Sequence, residues 1–117
     1  MKFELSEYNK KLVIRMMEKC EIEYTHELLT PCWTWKGANT GHTNQGAYGK
    51  VSVHGNKELT HRVMWSCYNG FLGVKQLDHI CRNTLCCNPY HLEPVTCRQN
   101  QIRKHKAMDK VIRGKYN

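Results

Sequence analysis

"LDHICRNTLCCNPYHLEPVTCRQN", residues 77–100, holds four of the seven cysteines of the chain, two histidines and several acidic or amide side chains. Crowding of this kind serves a structural metal knot, a catalytic site, or both with different residues assigned to each. Cys81, Cys86 and His91 are spaced x4 and x4, close enough for three ligands to converge from one loop. Zinc favours four thiolate or imidazole ligands in a tetrahedron. The fourth must come from elsewhere: Cys32 is a candidate, with Cys87 and Cys97 as local competitors. Alternatively these cysteines are small buried apolar residues, but a loop offers a thiol little core to join.

Working outward, Asp78-His79 falls at the end of an expected strand, 74–79. Thr96-Cys97-Arg98-Gln99 fits a capping box, so a helix starts there and carries Asn100 in its first turns. Strand, loop and helix then bring Asp78, His79 and Asn100 around one small volume. Carboxylate and amide oxygens suit a hard Mg2+, and a neutral imidazole can take a proton from water. That set matches metal-assisted phosphodiester hydrolysis.

At 117 residues one domain is expected. The 18 Lys and Arg exceed the 10 Asp and Glu by eight, a balance suited to a polyanion, nucleic acid before membrane. The opening "MKFELSEYNKK" has no apolar h-region and no run approaches membrane-spanning length. Reduced thiols and metal ligation are therefore expected, not a disulfide framework. The expected location is cytoplasmic, in a bacterial or phage-infected cell, or nuclear in a eukaryote, and not secreted.

Upstream, residues 6–20 place Leu12, Val13, Met16, Met17 and Cys20 on one helical face, with Ser6 as N-cap. "PCWTWKG" (31–37) reads as a strand and 38–46 as a loop. A hairpin over 47–61 turns at Gly55-Asn56, and a short helix over 61–70 closes at Asn69-Gly70. The last helix is expected to reach about Ile112. Lys50, Ser52, His54 and Lys57 on the hairpin could meet a DNA groove. Arg98, Arg103, Lys104 and the basic residues beyond them make a phosphate-tracking surface.

The order His79, Cys81, Cys86, Asn88-Pro89, His91-Leu92, Asn100 resembles the HNH, or ββα-metal, nucleases. It is most similar to the His-Cys box homing endonucleases and related phage HNH endonucleases. "CWTWKG", "AYGKVSV" and "HRVMW" extend the likeness more loosely upstream. The resemblance implies an α+β fold, a small zinc-stabilised ββα-metal domain with a hairpin and an N-terminal helix. One domain would span 1–117: helix 5–21, nuclease core 32–104 and basic tail 105–117. His79 would be the general base, Asn100 a ligand of the catalytic divalent ion, and Cys32, Cys81, Cys86 and His91 the structural zinc site. Asp78 follows the broader HNH group as a second ligand of that ion. Lys50 and Arg62 compete for the phosphate-stabilising role that an arginine fills in some relatives. The activity implied is Mg2+-dependent cleavage of double-stranded DNA, of homing or nicking type. A monomer would cut one strand; cutting both in one encounter calls for a symmetric homodimer. The alternatives are a non-catalytic zinc-stabilised nucleic-acid-binding module and an RNA-processing nuclease.

Overall fold

The computed structural model describes residues 5–25, 27–41 and 46–103. Helix α1 (Glu7–Met17) starts where the Ser6 hydroxyl accepts from the Asn9 amide at 3.1 Å, the expected cap. Leu12, Val13 and Met16 are buried along one face, and Lys10, Lys11, Arg15 and Lys19 stay exposed. Cys20 leaves the helical stripe and opens strand β1 (Cys20–Glu23). The expected helix, 5–21, thus overlaps the first two residues of this strand, because the Cys-Glu-Ile-Glu alternation runs on directly from the helical stripe.

Strand β1 pairs antiparallel with β2 (Cys32–Trp35). The other edge of β2 receives the cysteine loop: the Trp35 amide donates to the Leu85 carbonyl and the Cys87 amide to the Trp33 carbonyl, each at 2.9 Å. Two asparagines fasten the same edge. Asn83 Nδ2 donates to Thr34 Oγ1 at 2.9 Å, and Asn88 Nδ2 to the Pro31 carbonyl at 2.7 Å. The loop that sequence placed after β5 is therefore tied to β2, far upstream in the chain.

Strands β3 (Lys50–Val53) and β4 (Asn56–Leu59) form the expected hairpin. Val53 faces Asn56, so the two turn residues are His54 and Gly55, with φ of 51° and 80°. The turn thus lies one residue earlier than Gly55-Asn56. Two successive positive φ values match the twist of the flanking strands, and glycine adopts one of them without strain. Gly49 allows the hairpin root to sit on the core: a Cβ there would lie 2.6 Å from Trp35 Cδ1 and closer still to Thr60 Oγ1.

Helix α2 (Thr60–Asn69) ends at Gly70 with φ 90°, as expected of a glycine stop. Strand β5 (Gln76–His79) pairs antiparallel with β6 (Leu92–Val95), and Asp78 faces Glu93. Residues 97–103 are helical (α3). The capping box is complete: the Gln99 amide donates to Thr96 Oγ1 at 3.1 Å, and the Thr96 amide to Gln99 Oε1 at 3.0 Å. The unit is therefore strand, cysteine loop, strand, helix. Strand β6 has no clear signal in the sequence, since Pro94 lacks a ladder donor and proline is confined to edge strands. The expected continuation of α3 to Ile112, Lys104 and the tail 105–117 all lie outside the described residues.

Leu12, Val13, Met16, Trp35, Met64, Cys67 and Cys87 form the apolar core between α1, α2, β2 and the cysteine loop. The architecture is a small α+β domain of helices and short antiparallel strand pairs. Among the described residues no helix is long and apolar enough to cross a membrane.

Candidate metal centre and active site

Docking of the cysteine loop on β2 decides which cysteines meet. The ligand atoms of Cys32, Cys81, Cys86 and His91 all lie within 4.8 Å of one another, a group placed to hold a metal ion. Cys32 Sγ is 3.5 Å and Cys86 Sγ 3.6 Å from His91 Nδ1. A tetrahedron with Zn–S of about 2.3 Å and Zn–N of about 2.0–2.1 Å has an S···N edge of about 3.6 Å. On its far side His91 Nε2 meets the Thr30 carbonyl at 2.9 Å. Donating its proton there leaves the Nδ1 lone pair aimed at the thiols, the usual outer support of a ligating histidine.

The competing cysteines are disposed of by geometry. Cys86 bridges Thr34 in strand-like register, and successive strand side chains point to opposite faces. Cys86 therefore faces the metal group while Cys87 enters the core. There Cys87 Sγ meets Cys20 Sγ at 3.4 Å. Cys97 is exposed on α3. Within the group, a hydrogen bond from Cys86 holds the Cys81 thiol down to about 5. Burial pushes Cys32 up, and donation to Cys81 pushes Cys86 up. Any of these thiols that still carries its proton must lose it when a thiophilic cation binds.

A second site lies where β5 meets α3. Gln76 and Asp78 share one face of the strand, and Asn100 and Arg103 one face of the helix. Asn100 Nδ2 donates to Gln76 Oε1 at 2.7 Å. Arg103 Nη1 reaches Asp78 Oδ2 at 3.2 Å and Glu93 Oε2 at 2.9 Å, and its Nη2 reaches Glu93 Oε1 at 3.2 Å. Arg82 Nη1 takes the other Asp78 oxygen, Oδ1, at 3.0 Å. Asp78 and Asn100 are 4% and 5% exposed, so this is buried polar chemistry. Asn100 Oδ1 is buried without a hydrogen-bond partner among the described residues. An orphaned amide oxygen is costly to bury, and it is the atom that a hard cation would take.

His79, next along β5, meets different neighbours. Its ring centroid lies 4.8 Å from that of His61 and 5.9 Å from that of Tyr48, which itself lies 5.5 Å from His61. Asp78 and His79 close β5, Asp78 facing Arg82 and Arg103 and His79 facing the first turn of α2, while Asn100 on α3 meets Gln76 at the start of the same strand. His61 is 5% exposed and its Nδ1 has no hydrogen-bond partner among the described residues. Burial, then the charges of His79 and Arg62, push it down to about 3. Sequence reasoning passed over His61 for its neighbour Arg62, and over Arg82 inside the decisive stretch. Nothing in the spacing separates a buried histidine at a helix start from an exposed one.

The remaining candidate contacts to phosphate or DNA are placed differently. Arg62 donates to the carbonyls of Lys75 at 2.8 Å and Gly73 at 3.1 Å, which makes it a strut for the loop before β5. Lys50, Ser52, Lys57 and Arg98 are exposed. His54 is also exposed but stacks on Tyr8 at 5.3 Å and meets its hydroxyl at 2.8 Å, fastening the hairpin tip to α1.

The sequence is similar to known proteins over the same region. Protein 2.8 of Escherichia phage T7 is 41% identical over 84 residues, 65% of this chain and 55% of that protein. The chain therefore spans about half the length of that relative. No solved structure matches the chain significantly. Residues 58–102 match the family described as HNH endonuclease. Those residues run from the end of β4 to α3 and take in the cysteine loop, His61, Asp78, His79 and Asn100, so this part of the chain is similar to the HNH endonucleases, the resemblance that its motif implied.

Proposed function

We propose that the chain is a metal-dependent DNA endonuclease of the His-Cys box kind, with a structural zinc and a separate catalytic divalent cation. The observation that carries this reading is the buried Asn100 Oδ1, without a hydrogen-bond partner among the described residues, on the helix whose Arg103 reaches Asp78, within the segment that matches HNH endonucleases. Cys32, Cys81, Cys86 and His91 hold the zinc, whose three-thiol, one-imidazole donor set suits that ion. Zinc fixes the loop between β5 and β6, and so keeps His79 and α3 in register.

Asp78 and Asn100 would hold the catalytic cation, Mg2+ in the first instance, with two oxygens of the type it prefers. When bound, it supplies charge stabilisation for the phosphate under attack. His79, as a neutral imidazole, takes the proton from the attacking water. His61 and Tyr48 pack against the His79 ring and limit its rotation. Positive charge on α3 and the hairpin draws the DNA backbone toward the site. A homing or nicking role and a dimer belong to the same proposal.

The test is plasmid nicking by the full chain in Mg2+, with and without EDTA. Nicking that EDTA abolishes supports the proposal. DNA binding without nicking under any divalent ion replaces it with the non-catalytic zinc module, and cleavage confined to RNA with the RNA-processing nuclease.

A further inference from the structure

The carboxylate assigned above to a metal ion already has two cations on it. Arg82 Nη1 lies 3.0 Å from Asp78 Oδ1, and Arg103 Nη1 lies 3.2 Å from Oδ2. A divalent cation binding Asp78 competes for those lone pairs and brings like charge beside both guanidiniums. The two arginines are not equally fixed. Arg103 has both of its Nη nitrogens on Glu93, at 2.9 and 3.2 Å, independently of Asp78. Arg82 is joined to the site through Asp78, and its side chain is 49% exposed.

Its backbone points to the same residue. Arg82 sits at φ 61°, a conformation uncommon for a residue with a Cβ and one that favours a search for function. The turn that imposes it is closed by the Arg82 amide donating to the His79 carbonyl at 2.9 Å. Arg82 also follows Cys81 of the metal group directly. The guanidinium is therefore carried by the loop that holds Cys81 and Cys86, and it reaches back to Asp78 at the end of β5.

We propose that Arg82 is an internal counter-cation of Asp78 that exchanges onto the scissile phosphodiester of DNA when the divalent ion arrives. This rests on the reading of Asp78 as a metal ligand. Before the ion binds, the charges of Arg82 and Arg103 balance those of Asp78 and Glu93. The ion adds two positive charges, and DNA brings compensating negative charge, one for each phosphodiester. An arginine fork released at that moment matches two phosphate oxygens, which a lysine cannot do. Divalent ion and DNA then bind cooperatively, each weakening the contact that blocks the other.

The experiment uses the full chain with its metal group loaded, and reads binding without cleavage. Mn2+ is titrated without DNA into wild type, Arg82→Gln, Arg82→Lys and Asp78→Asn, and each is then bound to uncleaved DNA in Ca2+ and in EDTA. Arg82→Gln should bind Mn2+ about 3–10-fold tighter than wild type, because the competing cation is gone. It should also lose most of the gain in DNA affinity that Ca2+ gives wild type. Arg82→Lys should keep Mn2+ affinity within about twofold of wild type yet lose at least about threefold of that gain, having charge without the fork; it carries the comparison if the glutamine variant loses its Cys/His metal. If Arg82→Gln binds Mn2+ no tighter while Asp78→Asn loses binding, Asp78 remains a ligand and the exchange is overturned. If Asp78→Asn binds Mn2+ as wild type does, the ligand assignment falls and the exchange falls with it.

Discussion

His61 and His79 are buried neighbours with different work, and single substitutions separate them. His79→Ala removes the proposed base but leaves the Asp78 and Asn100 oxygens in place. Cleavage should drop roughly 10²–10⁴-fold in single-turnover assays, with DNA binding and zinc content retained. Asn100→Ala should differ in kind: cleavage falls but recovers in part as Mg2+ is raised, because a ligand and not the base is missing. Wild-type rates from His79→Ala would sink the mechanism. His61 makes its mark on stability. Its ordinary value of 6.5 is pushed down to about 3 by burial first, so the unfolded chain binds a proton that the folded chain refuses. Stability from this group is complete above pH 6.5 and is lost as pH falls toward 3, a span worth on the order of 5 kcal/mol. Urea midpoints at pH 7.5 and 5.0 test this. His61→Gln should show a smaller loss between the two than wild type, and an equal loss would clear His61 of the effect.

At the scale of elements, the cysteine loop belongs to β2 as much as to β5 and β6. Cys32 is the one metal-group member contributed by β2, so it closes the tie between the halves of the domain. Cys32→Ser should lower zinc affinity by more than the roughly 10–100-fold that loss of an outer hydrogen bond costs. Stability should fall with it, since metal binding contributes folding free energy. Metal analysis and thermal melting of the purified variant decide it, and full zinc with an unchanged melt would return the fourth position to another residue. The capping box was legible as sequence because its two bonds are local, between residues three apart. Strand β1 and strand β6 were not: one looks like the end of a helix, the other contains proline, and both exist because a partner strand accepts their backbone groups.

For the whole molecule, the charge excess sets how DNA is met. Affinity should fall steeply with salt, and deleting residues 104–117, which contain Lys104, Lys106, Lys110, Arg113 and Lys115, should flatten the slope by about 0.9 for each phosphate contact removed. An unchanged slope would take the tail off the DNA. That expectation needs composition alone. Sequence by itself also determined the HNH-type motif, the helix start at Thr96, the hairpin and the membership of Cys81, Cys86 and His91 in one group, because each depends on spacing along a short stretch. Tertiary structure decided the rest. It chose Cys32 over Cys87, since strand alternation in the docked loop turns Cys86 toward the metal group and Cys87 into the core. It set His61 against His79 across 18 residues of chain, and it withdrew Arg62 to two loop carbonyls while putting Arg82 on Asp78. Those choices rest on which surfaces meet, and a cation's partner is fixed by the nearest anion or carbonyl in space, which its position along the chain does not reveal.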